Sequence, residues 1–210
     1  ISNLDIDGKV HALADQKRQD SLGNRLWHTD ASYMPVPVVL GILHAVTLPP
    51  PSPLGAGETE FSDLRAAWDA LPAATQELID DLIAVHDIFH SRAQMGVTAF
   101  PPGEREQYPA SPQRLVRRHP GSGRKTLYLS AHASHIRDWP IADGRLLLGD
   151  LSEHATQREF VYRHTWKVGD VVIWDNRCTM HRGRAHDESQ PRDLRRATTL
   201  DQSSTIDEVA

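Results

Sequence analysis

The sequence predicts a mainly β fold with helices (α+β): an antiparallel sandwich with helices packed on one side. Two observations predict it. Apolar, β-branched segments fall toward the two ends, at 36–46, 160–174 and 195–200, whereas helical spacing is strongest in the middle, at 62–85 and 141–155. Strands and helices do not alternate one for one, as a doubly wound parallel sheet requires.

The elements follow in order. The stretch to about residue 24 is polar and carries the charged run 15–20, which reads as a surface loop or short helix. Residues 36–46 are rich in β-branched side chains and read as a buried strand. The segment 48–55 holds Pro49, Pro50, Pro51 and Pro53 and is a loop, because proline lacks the N–H that a ladder or helix needs. Over 62–85, Leu64, Ala67, Trp68 and Leu71 recur at helical spacing behind a Ser62 or Asp63 cap. Pro72 interrupts them and Leu78, Leu82 and Ile83 resume, so two helices are expected around Pro72. Pro101, Pro102, Gly103, Pro109 and Pro112 mark 91–113 as an irregular insertion. Residues 114–119 and 126–130 read as a strand pair joined by the Pro-Gly-Ser-Gly-Arg turn at 120–124. A helix is expected over 141–155 through Leu146, Leu147 and Leu151. Strands are then expected at 160–166, 171–174 and 195–200, with a turn at 167–170 and a frayed end.

The chain has 210 residues, the length of one domain (1–210), and is 39% hydrophobic and 24% charged, which excludes wholesale disorder. A formal net charge of -5 argues against binding nucleic acid by phosphate attraction. The longest apolar run, 36–48, is broken by Pro37 and His44 and is shorter than the roughly 20 residues of a membrane-spanning helix. Cys178 is the lone cysteine, which excludes an internal disulfide and a thiolate metal cluster and suits a cytoplasmic location.

Twelve histidines make metal binding the first chemistry to consider. In Trp27-His28-Thr29-Asp30, residues two apart in an extended segment share a face, so His28 and Asp30 can converge on one ion. They are two of the three ligands of a 2-His-1-carboxylate iron site, and His181, just after a short apolar strand, is available as the second imidazole. Alone, a His-x-Asp pair recurs by chance, with the Asp merely orienting the His. Arg192 and Arg196 differ by an even number and would share a strand face, where guanidinium groups suit a dicarboxylate cosubstrate and an acidic substrate. The bland alternative is a solvated basic strand paired with nearby acids. His132 and His135 fit a loop or substrate-pocket role better than a metal pair. Trp174 suits a wall or core position, and Cys178 is expected to be buried and unreactive.

Longer stretches add specificity. Leu-Gly-Asn-Arg-Leu-Trp-His-Thr-Asp at 22–30, Thr-Glu-Phe-Ser-Asp-Leu-Arg-Ala-Ala at 59–67 and Glu-His-Ala-Thr-Gln at 153–157 come first. Trp-Asp-Asn-Arg at 174–177, Met-His-Arg at 180–182, Ser-Gln-Pro-Arg-Asp at 189–193 and Arg-Arg-Ala-Thr at 195–198 follow. In identity and order these resemble the TauD/TfdA family of Fe(II)- and 2-oxoglutarate-dependent dioxygenases, and within it the members that act on aryloxyacetates. The resemblance implies a double-stranded β-helix, or jelly-roll, holding the iron between its two sheets with the two middle helices outside. It implies that His28, Asp30 and His181 are the iron ligands, that Thr59 and Arg192 hold 2-oxoglutarate, and that Arg196 receives the acidic group of the primary substrate; Ser32, two after Asp30, would share the ligands' face and is a further expected substrate contact. Implied cofactors are Fe(II), 2-oxoglutarate and O2, with ascorbate assisting. The implied substrate is a small acid, an aryloxyalkanoate such as 2,4-dichlorophenoxyacetate, cleaved to a phenol and glyoxylate alongside succinate and CO2. A homo-oligomer is implied as well, with no nucleic-acid or membrane partner. The alternatives are the same chemistry on taurine, another sulfonate, a sulfate ester or a natural aromatic acid, or a catalytically silent jelly-roll binding a metal or carboxylate. Family members carry a further portion ahead of the first ligand, and this chain opens on Ile1 with His28 near its start, so that portion is expected to be missing here.

Overall fold

The apolar segment near residue 40 becomes the central strand of the first sheet in the computed structural model, which describes residues 1–12, 15 and 21–207. In chain order the strands are β1 (Val38–Thr47), β2 (Thr59–Asp63), β3 (Ile83–His86), β4 (Ser111–Arg114), β5 (Val116–Arg118), β6 (Lys125–Leu127), β7 (Ala133–Ile136), β8 (Val161–His164), β9 (Val171–Asp175), β10 (Thr179–Gly183) and β11 (Asp193–Leu200). The helices are α1 (Leu64–Asp69), α2 (Ala73–Ile79), α3 (Ile88–Gln94), α4 (Glu104–Gln107) and α5 (Ile141–Ala155).

Two three-stranded antiparallel sheets, β11-β1-β9 and β10-β2-β8, form the sandwich. Leu43 and Ala45 of β1, Trp174 of β9 and Leu194 of β11 pack with Phe61 of β2 and with Trp166 in one buried cluster, which closes the space between the sheets. Gly41 pairs with Trp174 across β1 and β9, and the indole lies flat on that strand; a Cβ at position 41 would stand 2.1 Å from Trp174 Cζ2. A third sheet, β4-β3-β7, and the β5-β6 hairpin support the helices through a second core that includes Leu64, Ile79, Leu127, Ile136, Leu151 and Met180. Successive strand residues face opposite ways. Met180 therefore enters this second core while its neighbour His181 faces back between the sheets, with its ring 4.7 Å from that of Trp174 and 5.9 Å from that of Phe61.

The jelly-roll sandwich is present, and the 141–155 helix coincides with α5. Several boundaries need correction. Residues 59–63 are strand, and Asp63 ends it by capping α1, its Oδ1 accepting from the N–H groups of Arg65 at 2.9 Å and Ala66 at 3.3 Å. The second helix stops at Ile79, and 83–86 joins β4 and β7 in a ladder that overrides the helical spacing of Leu82 and Ile83. The 91–113 segment is not wholly irregular, since α3 runs into it and α4 and most of β4 lie within it. Strands β7 and β10 went unforeseen because Ala-Ser-His-Ile and Thr-Met-His-Arg-Gly are short and carry little apolar alternation. Residues 16–20 of the charged run and residues 208–210 lie outside the described residues. The chain just before the end is tied down: Thr205 Oγ1 donates to Gln113 Oε1 at 2.6 Å and accepts from Arg114 N–H at 3.0 Å.

Candidate active site

His28 and His181 face each other across an isolated antiparallel bridge and exchange both backbone bonds, His28 N–H to His181 O at 3.0 Å and His181 N–H to His28 O at 2.8 Å. This pairing brings the two imidazoles together on one face, with ring centroids 4.2 Å apart and planes tilted by 46°. Asp30, two residues on, joins them: Oδ1 lies 3.7 Å from His28 Nε2, and Oδ2 lies 3.9 Å from His181 Nε2. One ligand atom from each residue falls within 4.8 Å of the others, and all three side chains are buried.

The hydrogen bonds around the cluster leave lone pairs pointing inward. His28 Nδ1 lies 2.8 Å from the Leu26 carbonyl, which can only accept, so Nδ1 carries a proton and Nε2 is the nitrogen that faces Asp30. Burial pushes His181 down to about 3 and keeps it neutral. Burial opposes ionisation of Asp30, but the Arg196 guanidinium beside it counters this, and the carboxyl is held below its ordinary value. Arg196 Nη1 donates to Asp30 Oδ1 at 3.2 Å, whereas Asp30 Oδ2 is buried with no hydrogen-bond partner among the described residues. Two buried imidazoles and a carboxylate with an orphaned oxygen fit a divalent first-row cation.

A cavity of about 220 Å³ opens beside the cluster, lined by His28, Asp30 and Arg196 and by the rings of Tyr33 and His132, which meet edge to face at 4.9 Å. Val38, Ile88 and Met95 make it partly apolar. Arg92 also reaches it but is engaged by Glu104 at 2.7 Å. Apolar walls with one cation near the cluster suit a small anion with an apolar body.

The other expected residues are spread more widely. Arg192 is buried in an adjoining cavity that shares Asn24 with the first. Its Nη2 donates to Gly57 O at 3.1 Å, its Nε has no partner, and it makes no ion pair among the described residues. Burial pulls it down to about 10, and a guanidinium so enclosed calls for an anion. Thr59 is buried at the start of β2, where its hydroxyl accepts from Trp166 Nε1 at 3.0 Å. Ser32 is not among the residues lining the cavity: its hydroxyl is fully buried and bonded to His86 Nδ1 at 2.9 Å, so a direct substrate contact does not match this placement. Cys178 is buried, and burial raises its thiol. The Tyr33 wall was not singled out from the sequence, because nothing in a lone tyrosine signals it.

His119, Asp175 and Cys178 also come within ligand range of one another, but this cluster needs no ion. The Ser122 N–H donates to His119 Nδ1 at 3.1 Å, which puts the ring proton on Nε2, facing Asp175 Oδ2 at 2.8 Å. Arg177 grips the same carboxylate at 2.9 and 2.6 Å. Burial opposes ionisation of Asp175, but these bonds outweigh it and take the carboxyl down to about 2.

Residues 4–198 match the family described as taurine catabolism dioxygenase TauD, TfdA family. The chain is 49% identical over 201 residues to the alpha-ketoglutarate-dependent 2,4-dichlorophenoxyacetate dioxygenase of Cupriavidus pinatubonensis, covering 96% of this chain and 69% of that one. It is 35% identical over 201 residues to the (S)-phenoxypropionate/alpha-ketoglutarate-dioxygenase of Delftia acidovorans, covering 91% and 68%. A crystal structure of AAD-2 in complex with Mn(II) and N-oxalylglycine superposes with a TM-score of 0.93 at 47% identity, over 99% of this chain and 74% of that one.

Proposed function

The chain belongs to the TauD/TfdA family of 2-oxoglutarate-dependent non-haem iron dioxygenases, and from that premise we propose that its substrate is an aryloxyalkanoate such as 2,4-dichlorophenoxyacetate. The supporting observation is the buried His28/Asp30/His181 cluster with its orphaned carboxylate oxygen, opening on a partly apolar cavity that carries Arg196. The aryloxy preference is supported by the substrates named for the two similar enzymes above.

In this reading His28, Asp30 and His181 hold Fe(II). Iron held there would supply the dioxygen chemistry by which 2-oxoglutarate becomes succinate and CO2 and the substrate carbon beside the ether oxygen gains a hydroxyl. The hydroxylated product is a hemiacetal, which splits into a phenol and glyoxylate. Arg192, buried and without a counter-charge, pairs with the distal carboxylate of 2-oxoglutarate. Thr59 adds a hydroxyl whose proton is available, since Trp166 N–H occupies its oxygen from the other side. Arg196 trades its bond to Asp30 for the substrate carboxylate, and the aryl ring lies against the apolar wall. Because the oxidant attacks whatever lies closest, positioning is the protein's main contribution.

The reading includes a homo-oligomer, a cytoplasmic location and ascorbate as an assisting reductant. Among the described residues no helix is long and apolar enough to cross a membrane. A substrate panel tests the proposal: in air with Fe(II), ascorbate and 2-oxoglutarate, 2,4-dichlorophenoxyacetate is expected to drive succinate formation with matching phenol release, and taurine is not. Succinate formed with taurine alone overturns the substrate and keeps the mechanism.

A further inference from the structure

Asn176, one residue past β9, is fully buried and spends its side-chain amide on backbone beside the cluster. Its Oδ1 accepts from the Asp30 N–H at 2.9 Å, and its Nδ2 donates to the Asp30 carbonyl at 3.0 Å and to the Val38 carbonyl at 3.0 Å. Its own N–H donates to Val39 O at 2.7 Å, which anchors it to the start of β1. A primary amide presents a donor and an acceptor as a peptide group does. Asn176 thus serves Asp30 as a one-residue strand partner, two residues beyond the point where His28 bridges to β10.

The next residue shows what the clamp opposes. Ala31 has φ +50, in the left-handed region that a residue with a Cβ enters at a cost. Such a conformation persists only where its surroundings over-determine it. Released at both its N–H and its carbonyl, the Asp30 peptide is free to relax and turn the carboxylate away from the imidazoles.

We infer that Asn176 is a positioning residue for the metal carboxylate, holding the Asp30 backbone so that its side chain meets His28 and His181. This rests on the ligand role proposed for Asp30.

The test is a Co(II) titration of the folded protein without 2-oxoglutarate, read by its visible absorption. Asn176→Ala is expected to weaken Co(II) binding about 10- to 100-fold, the usual loss when a group supporting a metal ligand is removed. Asn176→Ser keeps a polar hydroxyl in the pocket but cannot span both groups, so it is expected to weaken binding too and carries the test if the alanine variant does not fold. Ile79→Val, a destabilising change in the remote helical core, controls for general loss of stability and should leave the affinity within about twofold. Asn176 variants that lose melting temperature as Ile79→Val does while keeping wild-type Co(II) affinity overturn the inference. A wild-type protein that does not bind Co(II) overturns the ligand assignment itself, and the inference with it.

Discussion

His181 meets Phe61 and Trp174 on one side and His28 and Asp30 on the other, so removing its imidazole takes one of three donors and leaves the sandwich its remaining contacts. His181→Ala is expected to abolish succinate formation while the circular dichroism spectrum stays native; residual turnover near wild type contradicts the ligand role. Arg196 is half-exposed at the cavity, and losing one charge-assisted pair costs about 1.5–3 kcal/mol, or roughly a 10- to 150-fold rise in substrate KM for Arg196→Ala. The KM for 2-oxoglutarate should not move, and equal loss of both would erase the separation between Arg192 and Arg196. His86, fully buried behind Ser32, is held by burial at about 3. Unfolded, it titrates near its ordinary 6.5, so between these values the unfolded chain binds more protons and stability falls as the pH drops. From pH 7 to 5 this one group contributes a loss of about 2 kcal/mol. The urea midpoint should therefore be lower at pH 5 than at pH 7, with a shallower dependence in His86→Gln. Equal midpoints would contradict a neutral buried imidazole.

At the level of elements, Gly41 carries a prediction: with the Trp174 indole against β1, Gly41→Ala forces the ring away and should cost about 1–3 kcal/mol of stability. Because that ring also packs on His181, metal affinity should fall with it, whereas an unchanged urea midpoint would show that the sheet can give. The legibility of the sequence varied in the same physical terms. The 141–155 helix was readable because its leucines recur at helical spacing along one face, and β1 because its β-branched run is long. Ile83 and Leu82 misled, since a four-residue strand between two partners draws its stability from ladder bonds that local spacing does not encode. His28, Asp30 and His181 were legible as residue types with suitable spacing, but their convergence depends on a single bridge from His28, outside any named strand, to His181 of β10. Ser32 followed from the even-spacing rule of an extended segment, and the left-handed Ala31 before it breaks that rule. Asn176 was readable only as part of Trp-Asp-Asn-Arg, and its grip on Asp30 is a product of the fold.

For the molecule as a whole, the sandwich supplies a dry floor for three convergent ligands, and the helical layer supplies the outer wall of the cavity through Ile88 and Arg92 of α3. A cation bound only by the native state stabilises it in proportion to the logarithm of its concentration, about 2.7 kcal/mol at a hundred times its Kd. Mn(II) should therefore raise the melting temperature of the wild-type protein and leave that of Asp30→Ala unchanged; equal shifts would place the ion elsewhere. The proposed iron site of this 2-oxoglutarate-dependent dioxygenase is His28, Asp30 and His181. Its most direct test is succinate formed from 2-oxoglutarate in air with Fe(II), ascorbate and 2,4-dichlorophenoxyacetate, compared between the wild type and the three single alanine variants. Succinate and phenol in equal amounts from the wild type, with neither from any variant, is the predicted result. No succinate from the wild type, or wild-type amounts from any one variant, would contradict it.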